Sequence, residues 1–346
     1  MTEEIDAVLD RVERRAGALD RGEDDVRPAL RELAAFDLLA LGTGPERAGE
    51  LPDVVSLVEE LGARCLATAF SVWAHRMVID YLAHAPYPDR AADLAALSRA
   101  ERFGSTGLAP ALRELAGFGA VPLVARRDGD GLRVDGPVSW ASNLFPGALL
   151  VVPVQVGDGR AVVAIDVDAP GVTVHPPPRL LAMNATASSS LTLDDVAVTP
   201  ERVLTEDLPA FVGACRPRLM LVQSAFCLGL ARRSILEARP GLEGVAASLA
   251  PHAHEVGVAL DAARHALHRV AARPDTAGPK DHAALRHEAA RLAGEATRLE
   301  AAVVGGAGYV ADSPTARRLR EAAFLPVQAP TEALLEVLRG AAPPRA

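Results

Sequence analysis

The sequence reads as an α+β protein in three successive parts: a helical domain over residues 1–102, a middle antiparallel β-barrel or sandwich over 103–198, and a helical bundle over 199–346. Three observations carry this reading. Apolar residues recur at helical spacing through the first part, and short Val-rich runs punctuated by Gly, Pro and Asp fill the second. From Pro200 onward the helical period returns.

Taken in order, Ile5, Val8, Leu9 and Val12 share one helix face, and Leu30, Leu33 and Leu38 mark the next helix. Pro52-Asp53 opens a helix striped by Val54, Leu57, Val58 and Leu61, which Gly62 is expected to interrupt or end. Thr68–Leu82 is apolar enough to be a buried helix, and its His75 reads as a satisfied core or interface histidine rather than a catalyst. After Phe103-Gly-Ser-Thr-Gly107 comes a short segment, Leu112–Phe118. The run from Gly131 then reads as a strand, a turn at Asp135-Gly136, a strand ending in Trp140-Ala-Ser-Asn143, and an apolar strand, Leu149–Val154. Arg160–Val167 and Val172–His175 are further strands, and Pro176–Pro178 is a rigid extended link. In the bundle, Arg218–Leu236 reads as the central helix, Val245–Val270 as a second and His282–Val304 as a third. Glu332–Leu338 closes the chain before a Pro-rich tail.

Composition narrows the class. With 346 residues, 49% hydrophobic and 23% charged, the chain has a large aliphatic core and the profile of a soluble protein. A net charge of -9 argues against general affinity for nucleic acid or anionic membrane. No apolar run reaches the roughly 18–20 residues of a membrane span, and the acidic N-terminus is unlike a signal peptide. Cys65, Cys215 and Cys227 are isolated in apolar contexts and read as buried thiols, so a cytoplasmic location is expected. Six of the nine histidines fall between His252 and His287, among them His265 and His268 on one helix face. Without the facing carboxylates of a bundle metal site they read as solvent-exposed helix residues, and no metal is expected.

Chemistry concentrates in the middle. Trp140, followed two residues later by Ser142 at a strand end, offers a flat apolar face beside a hydroxyl. That pairing suits a planar heteroaromatic ligand with a polar edge; the plain alternative is a core Trp with a Ser in a turn. Gly305-Gly306-Ala-Gly-Tyr309 is a glycine cluster that follows a helix, where a dinucleotide fingerprint would follow a strand.

These segments resemble the acyl-CoA dehydrogenase superfamily. Its middle domain carries a Trp-Ile-Ser/Thr-Asn segment against the flavin of FAD, matched here by Trp140-Ala-Ser-Asn143. Ser190–Pro200 and Gly305–Tyr309 follow in the same order, so the resemblance spans most of the chain. It implies that Trp140 covers the isoalloxazine and that Ser142 hydrogen-bonds near its N5 edge. Thr106 is what remains of the family's Thr-Glu-Pro contact, and Gly117-Phe-Gly119 of its Gly-Ser-Asp. Gly305 and Gly306 match the Gly-Gly-x-Gly-Tyr turn, with Pro314, Arg317 and Arg320 following in place. That turn and a Glu-Gly-Thr tripeptide, whose Thr is matched by Thr331, help to hold the adenosine half of FAD.

The same register puts Ala329 where the family commonly carries its catalytic Glu, and Pro330 where it has Gly. Removing the α-proton of an acyl thioester needs a positioned base, and a methyl group is none. Glu332 is the nearest substitute in sequence, and Arg216–Gln223, where some relatives place the base, has no carboxylate. The family's Arg-x-x-Phe-Gly segment has no counterpart after Ala231-Arg-Arg233, leaving Arg232 and Arg233 as compensating cations or a solvated face. The implied function is an FAD-dependent oxidoreductase acting on an acyl-CoA or acyl-carrier thioester or a related small molecule, as a homo-oligomer or in a hetero-oligomer with a related chain. The alternatives are a non-catalytic subunit of a heteromeric acyl-CoA dehydrogenase, or a flavin-dependent monooxygenase of the same fold.

Overall fold

The computed structural model describes residues 3–43, 47–85 and 90–340; the Pro-rich tail, 341–346, lies outside them. Five helices come first: α1 (Glu3–Arg21), α2 (Arg27–Ala34), α3 (Leu51–Arg64), α4 (Leu66–His84) and α5 (Arg90–Ser98). α4 is buried at every residue from Leu66 to Leu82, as its lack of a polar face requires. Gly62 does not end α3, which runs on to Arg64. It serves close packing instead: a Cβ there would stand 2.5 Å from the carbonyl oxygen of Phe226 in the bundle.

The middle part contains β1 (Gly104–Thr106), α6 (Ala109–Leu115), β2 (Val124–Asp128), β3 (Gly131–Ala141), β4 (Leu149–Val156), β5 (Gly159–Asp166), β6 (Val172–Val174), β7 (Ser189–Val198) and β8 (Val203–Thr205). They pair in the order β6-β7-β3-β2-β4-β5-β8, with β1 on β4. The sheet is mixed, not purely antiparallel, because β1 and β2 both run parallel to β4. After β3 the chain crosses through 142–148 to the free edge of β2, so β4 enters in the direction of β2.

The turn expected at Asp135-Gly136 is not there. β3 passes straight through it, and the hairpin reverses between Asp128 and Gly131, at Gly129-Asp130. Asp135-Gly136 is instead a bulge, where the register against β7 shifts between Val134 and Gly136. Gly136 takes φ +125°, which glycine adopts readily.

The bundle follows: α7 (Leu208–Ala238), α8 (Ala250–Ala272), α9 (Pro279–Val304), α10 (Pro314–Phe324) and α11 (Glu332–Leu338). α7 begins at Leu208, not Arg218, because Asp207 caps it by accepting from the Ala210 N–H at 3.0 Å and Pro217 is carried inside the helix. α8 begins at Ala250, not Val245, with a 3-10 stretch over Gly244–Leu249 before it. Leu208–Gly241 has the length and apolarity of a membrane span, yet 83% of its most apolar window is buried inside the protein.

Buried charges lock the helices together. Glu59 on α3 accepts from Arg264 Nε at 2.5 Å and lies 3.2 Å from His268 Nε2, both on α8. Glu300 on α9 accepts from Arg318 (2.5 and 2.9 Å) and from Thr315 Oγ1 (2.6 Å), both on α10. Such pairs specify which faces meet, since leaving one partner alone and buried is costly.

Candidate active site

Asn143 fixes the site's frame. It is buried at φ +59°, and its Nδ2 donates to the carbonyls of Ser71 on α4 (2.9 Å) and Gly104 at the start of β1 (3.1 Å). The end of β3, the middle of α4 and β1 are thereby tied at one point. Trp140, three residues earlier, stays 59% exposed between the exposed Ser139 and the buried Ala141. An indole left open on a rigid strand is a ready surface for a flat ligand. Thr106 ends β1, and its hydroxyl lies 3.2 Å from the buried Tyr81 hydroxyl of α4. Ser105, beside it, is buried without a hydrogen-bond partner for its hydroxyl. Asn143 therefore ties the strand end that carries Trp140 and Ser142 to the start of β1, which ends in Thr106.

Ser142 belongs to a chain of hydroxyls. Its Oγ is 2.7 Å from Ser188 Oγ, which is 2.6 Å from Thr186 Oγ1, which donates to the Met183 carbonyl at 2.7 Å. The 183–188 segment is held against residue 143 by backbone bonds, Asn143 N to Thr186 O (2.8 Å) and Leu144 N to Ala187 O (3.2 Å). Met183 and Ala187 both take positive φ, 68° and 45°. Backbone of that kind persists only where its surroundings impose it. Sequence reasoning missed Thr186, Ser188 and Tyr81. The Ser188-Ser-Ser190 run was a visible signal; the position of Tyr81 was not.

The C-terminal candidates sit on other elements. Gly305 and Gly306 open an exposed 3-10 turn between α9 and α10, and Tyr309 at its end is 89% exposed. Thr331 caps α11 by accepting from the Leu334 N–H. Glu332 is on the first turn of α11, facing His287 of α9 at 3.8 Å, with Glu336 nearer to the same ring at 2.9 Å. Among the described residues no hydrogen bond or ion pair links these positions to Trp140, Ser142 or Thr106.

Ala329 is half-buried, and its carbonyl accepts from Gln223 Nε2 of α7 at 3.0 Å. Behind it Arg286 of α9, 0% exposed, donates to Gln223 Oε1 (3.1 Å), Gln328 Oε1 (2.8 Å) and the Leu325 carbonyl (3.4 Å). Nothing in the sequence singled out this arginine among its many neighbours. Its partners are amides and a carbonyl, so the neighbourhood of Ala329 is built from neutral acceptors around a cation.

Other titratable groups are satisfied within the fold. His75 accepts from the Gly104 N–H at Nδ1 (2.9 Å) and faces the Leu97 carbonyl at Nε2 (3.0 Å), which fixes a neutral ring. Burial pushes its pKa down to about 4. Arg232 pairs with Glu60 at 2.5 Å, and Arg233 with Glu13 (2.6 Å) and Glu237 (2.7 Å), so both are bound to this chain's own acids. Four of the six clustered histidines are not the solvated residues expected: His282 is buried, His252 meets Glu295, His268 meets Glu59 and His287 meets Glu336. Cys65, Cys215 and Cys227 are buried and free. Asp80, His84 and Cys215 bring three possible metal-ligand atoms together, but Arg218 lies 3.5 Å from the Asp80 carboxylate and 3.4 Å from His84 Nε2. A guanidinium in that position opposes a second cation.

The residues around Trp140 fit the ring end of a flavin: an open aromatic face, one hydroxyl at its edge, and a β1–β3 junction that fixes both. Trp140 would hold the ring by stacking, while Ser142 would meet a polar edge atom.

No family model matches the chain. It is 23% identical to the short-chain specific acyl-CoA dehydrogenase of Clostridium acetobutylicum over 89% of this chain and 87% of that relative. Among solved structures, a glutaryl-coenzyme A dehydrogenase in complex with glutaryl-CoA superposes with a TM-score of 0.84 at 18% identity, covering 98% of this chain and 94% of the other. Butyryl-CoA dehydrogenase from Megasphaera elsdenii gives 0.83 at 18% identity, covering 98% of both chains. Curated relatives point consistently to the acyl-CoA dehydrogenase superfamily, the solved structures share its fold, and the low identity fits a divergent member.

Proposed function

We propose that the protein is an FAD-binding oxidoreductase acting on an acyl-CoA or acyl-carrier thioester or a related small molecule. The observation that carries this is the exposed Trp140 face beside the anchored Ser142 hydroxyl. Trp140 and Ser142 would hold FAD there, and the cofactor would supply a two-electron acceptor for the substrate. The chain's own residues would do the rest: Trp140 shields one ring face, Ser142 and Thr106 meet the polar edge, and Asn143 keeps them in register. Gly305, Gly306 and Thr331 would meet the adenosine half, from this chain or from a second copy. In this reading the domains are 1–102, 103–198 and 199–346, and the protein works in the cytoplasm as an oligomer.

The catalytic base is the weak point, and it favours a second reading. Ala329 offers no carboxylate, Glu332 is turned to His287, and Gln223, Gln328 and Arg286 fill the space behind. A chain that binds FAD without abstracting a proton would serve as the non-catalytic subunit of a heteromeric acyl-CoA dehydrogenase. A flavin-dependent monooxygenase would likewise not need the Glu.

The test is the visible spectrum of the purified full chain, alone and after incubation with FAD and desalting. A retained flavin band is expected, weakened about tenfold or more in occupancy by Trp140→Ala, because aromatic stacking contributes on the order of 1–3 kcal/mol. Anaerobic bleaching by acyl-CoA would support the dehydrogenase; oxygen uptake with reduced flavin would indicate the monooxygenase instead. A band that acyl-CoA bleaches only when a related chain carrying the Glu is added would support the subunit reading. No band under any condition refutes flavin binding by this chain.

A further inference from the structure

The hydroxyl chain next to Trp140 has a direction, and that direction follows from counting hydrogens. Each hydroxyl has one hydrogen to give and two lone pairs to receive. Thr186 gives its hydrogen to the Met183 carbonyl, which can only accept (2.7 Å). Its contact with Ser188 at 2.6 Å must therefore be Ser188 donating. Ser188 then has no hydrogen left, so the 2.7 Å contact with Ser142 must be Ser142 donating. Ser142 is left with open lone pairs and no hydrogen for a ligand.

We propose that Thr186 and Ser188 hold Ser142 as an acceptor-only hydroxyl, so that this site selects a ring N–H over a ring nitrogen lone pair. This rests on the flavin reading above, with Ser142 at the N5 edge. An oxidised flavin presents a lone pair at N5, and the two-electron-reduced ring presents an N–H there. Facing an acceptor-only Ser142, the oxidised ring meets lone pair against lone pair while the reduced ring gains a hydrogen bond. The chain thus binds reduced FAD more tightly than oxidised FAD and raises the potential of the bound cofactor. Thr186 and Ser188 are positioning residues, acting through Ser142. The positive-φ turn at Met183 and Ala187, pinned by backbone bonds to 143 and 144, keeps the three oxygens in line.

The experiment measures the affinities of the full chain for oxidised and reduced FAD, with dithionite supplying the electrons and water the N5 proton. Ser188→Ala frees the Ser142 hydrogen to donate to oxidised N5. The preference for reduced FAD should fall about tenfold, which is about 30 mV in a two-electron couple. Ser142→Ala, which removes both the clash with the oxidised ring and the bond to the reduced one, should lose the preference as well. Ser188→Thr, which keeps the hydroxyl, should restore the wild-type ratio. Thr186→Val releases the lock from its far end and should shift the ratio in the same direction as Ser188→Ala, which covers the case in which one variant fails to fold. FAD binding with an unchanged ratio in Ser188→Ala or Thr186→Val overturns the proposal and leaves the flavin reading intact. No binding of FAD by the wild type overturns both.

Discussion

A close crossing of α3 and α7 makes a prediction whose sign depends on position alone. At Gly229 on α7, an added Cβ would lie 2.0 Å from the Glu59 carbonyl oxygen and 2.9 Å from the Ala63 nitrogen, both backbone atoms of α3. Ordinary contact begins near 3.4 Å, so no rotamer change relieves the overlap and the two helices must separate. Overpacking of this kind costs about 1–3 kcal/mol, and here both obstacles are backbone, which favours the upper end. The same movement would pull Glu59 from Arg264 (2.5 Å) and His268 (3.2 Å). Against this, alanine is the better helix former by about 1 kcal/mol. The net expectation for Gly229→Ala is a loss of about 2 kcal/mol. Gly213, on the same helix, has nothing within 4 Å of its virtual Cβ, so Gly213→Ala should gain up to about 1 kcal/mol. Urea unfolding at fixed protein concentration measures both. If Gly229→Ala matched wild type, or if both substitutions shifted stability the same way, the close α3–α7 packing would be wrong.

Other consequences follow from the buried charges. Glu59→Gln should destabilise by about 1–3 kcal/mol in the same assay, because it strips the shared carboxylate from Arg264, Arg232 and His268. Arg286→Ala should cost about 3 kcal/mol, since it opens a cavity and leaves the side-chain oxygens of Gln223 and Gln328 without their donor. His75 is neutral in the fold with its pKa pushed down to about 4, so the unfolded chain binds the extra proton between that value and the ordinary 6.5. Its contribution is fully present above pH 6.5 and is lost as pH falls toward 4, by about 3 kcal/mol at most. Unfolding midpoints followed from pH 7 to 4.5 should show this slope, and His75→Gln should flatten it.

The Trp140–Asn143 segment shows how far a linear reading reaches. Trp140, Ser142 and Asn143 are adjacent in sequence, so their spacing on one strand end is a local property. Their environment is not local. The carbonyls that orient Asn143 come from Ser71 and Gly104, and the hydroxyl beside Ser142 comes from Ser188, all far away along the chain. The misplaced turn has the same cause. Asp128-Gly129 and Asp135-Gly136 carry equal local signals, and only pairing with β7 makes the second a bulge and leaves the first as the hairpin.

By itself the sequence determined the three-part order, the fold class and the adjacency of Trp140 and Ser142, because periodicity, turn chemistry and short motifs are written in neighbouring residues; that Trp140 stays open is a tertiary result. Only the tertiary structure decided that Gly62 and Gly229 are a helix crossing, that Arg286 lies buried among amides behind Ala329, and that Glu332 faces His287. It also decided which way the hydroxyls beside Trp140 point. Close approach and hydrogen-bond direction depend on atoms that distant segments bring within a few ångströms, and no spacing along the chain encodes them.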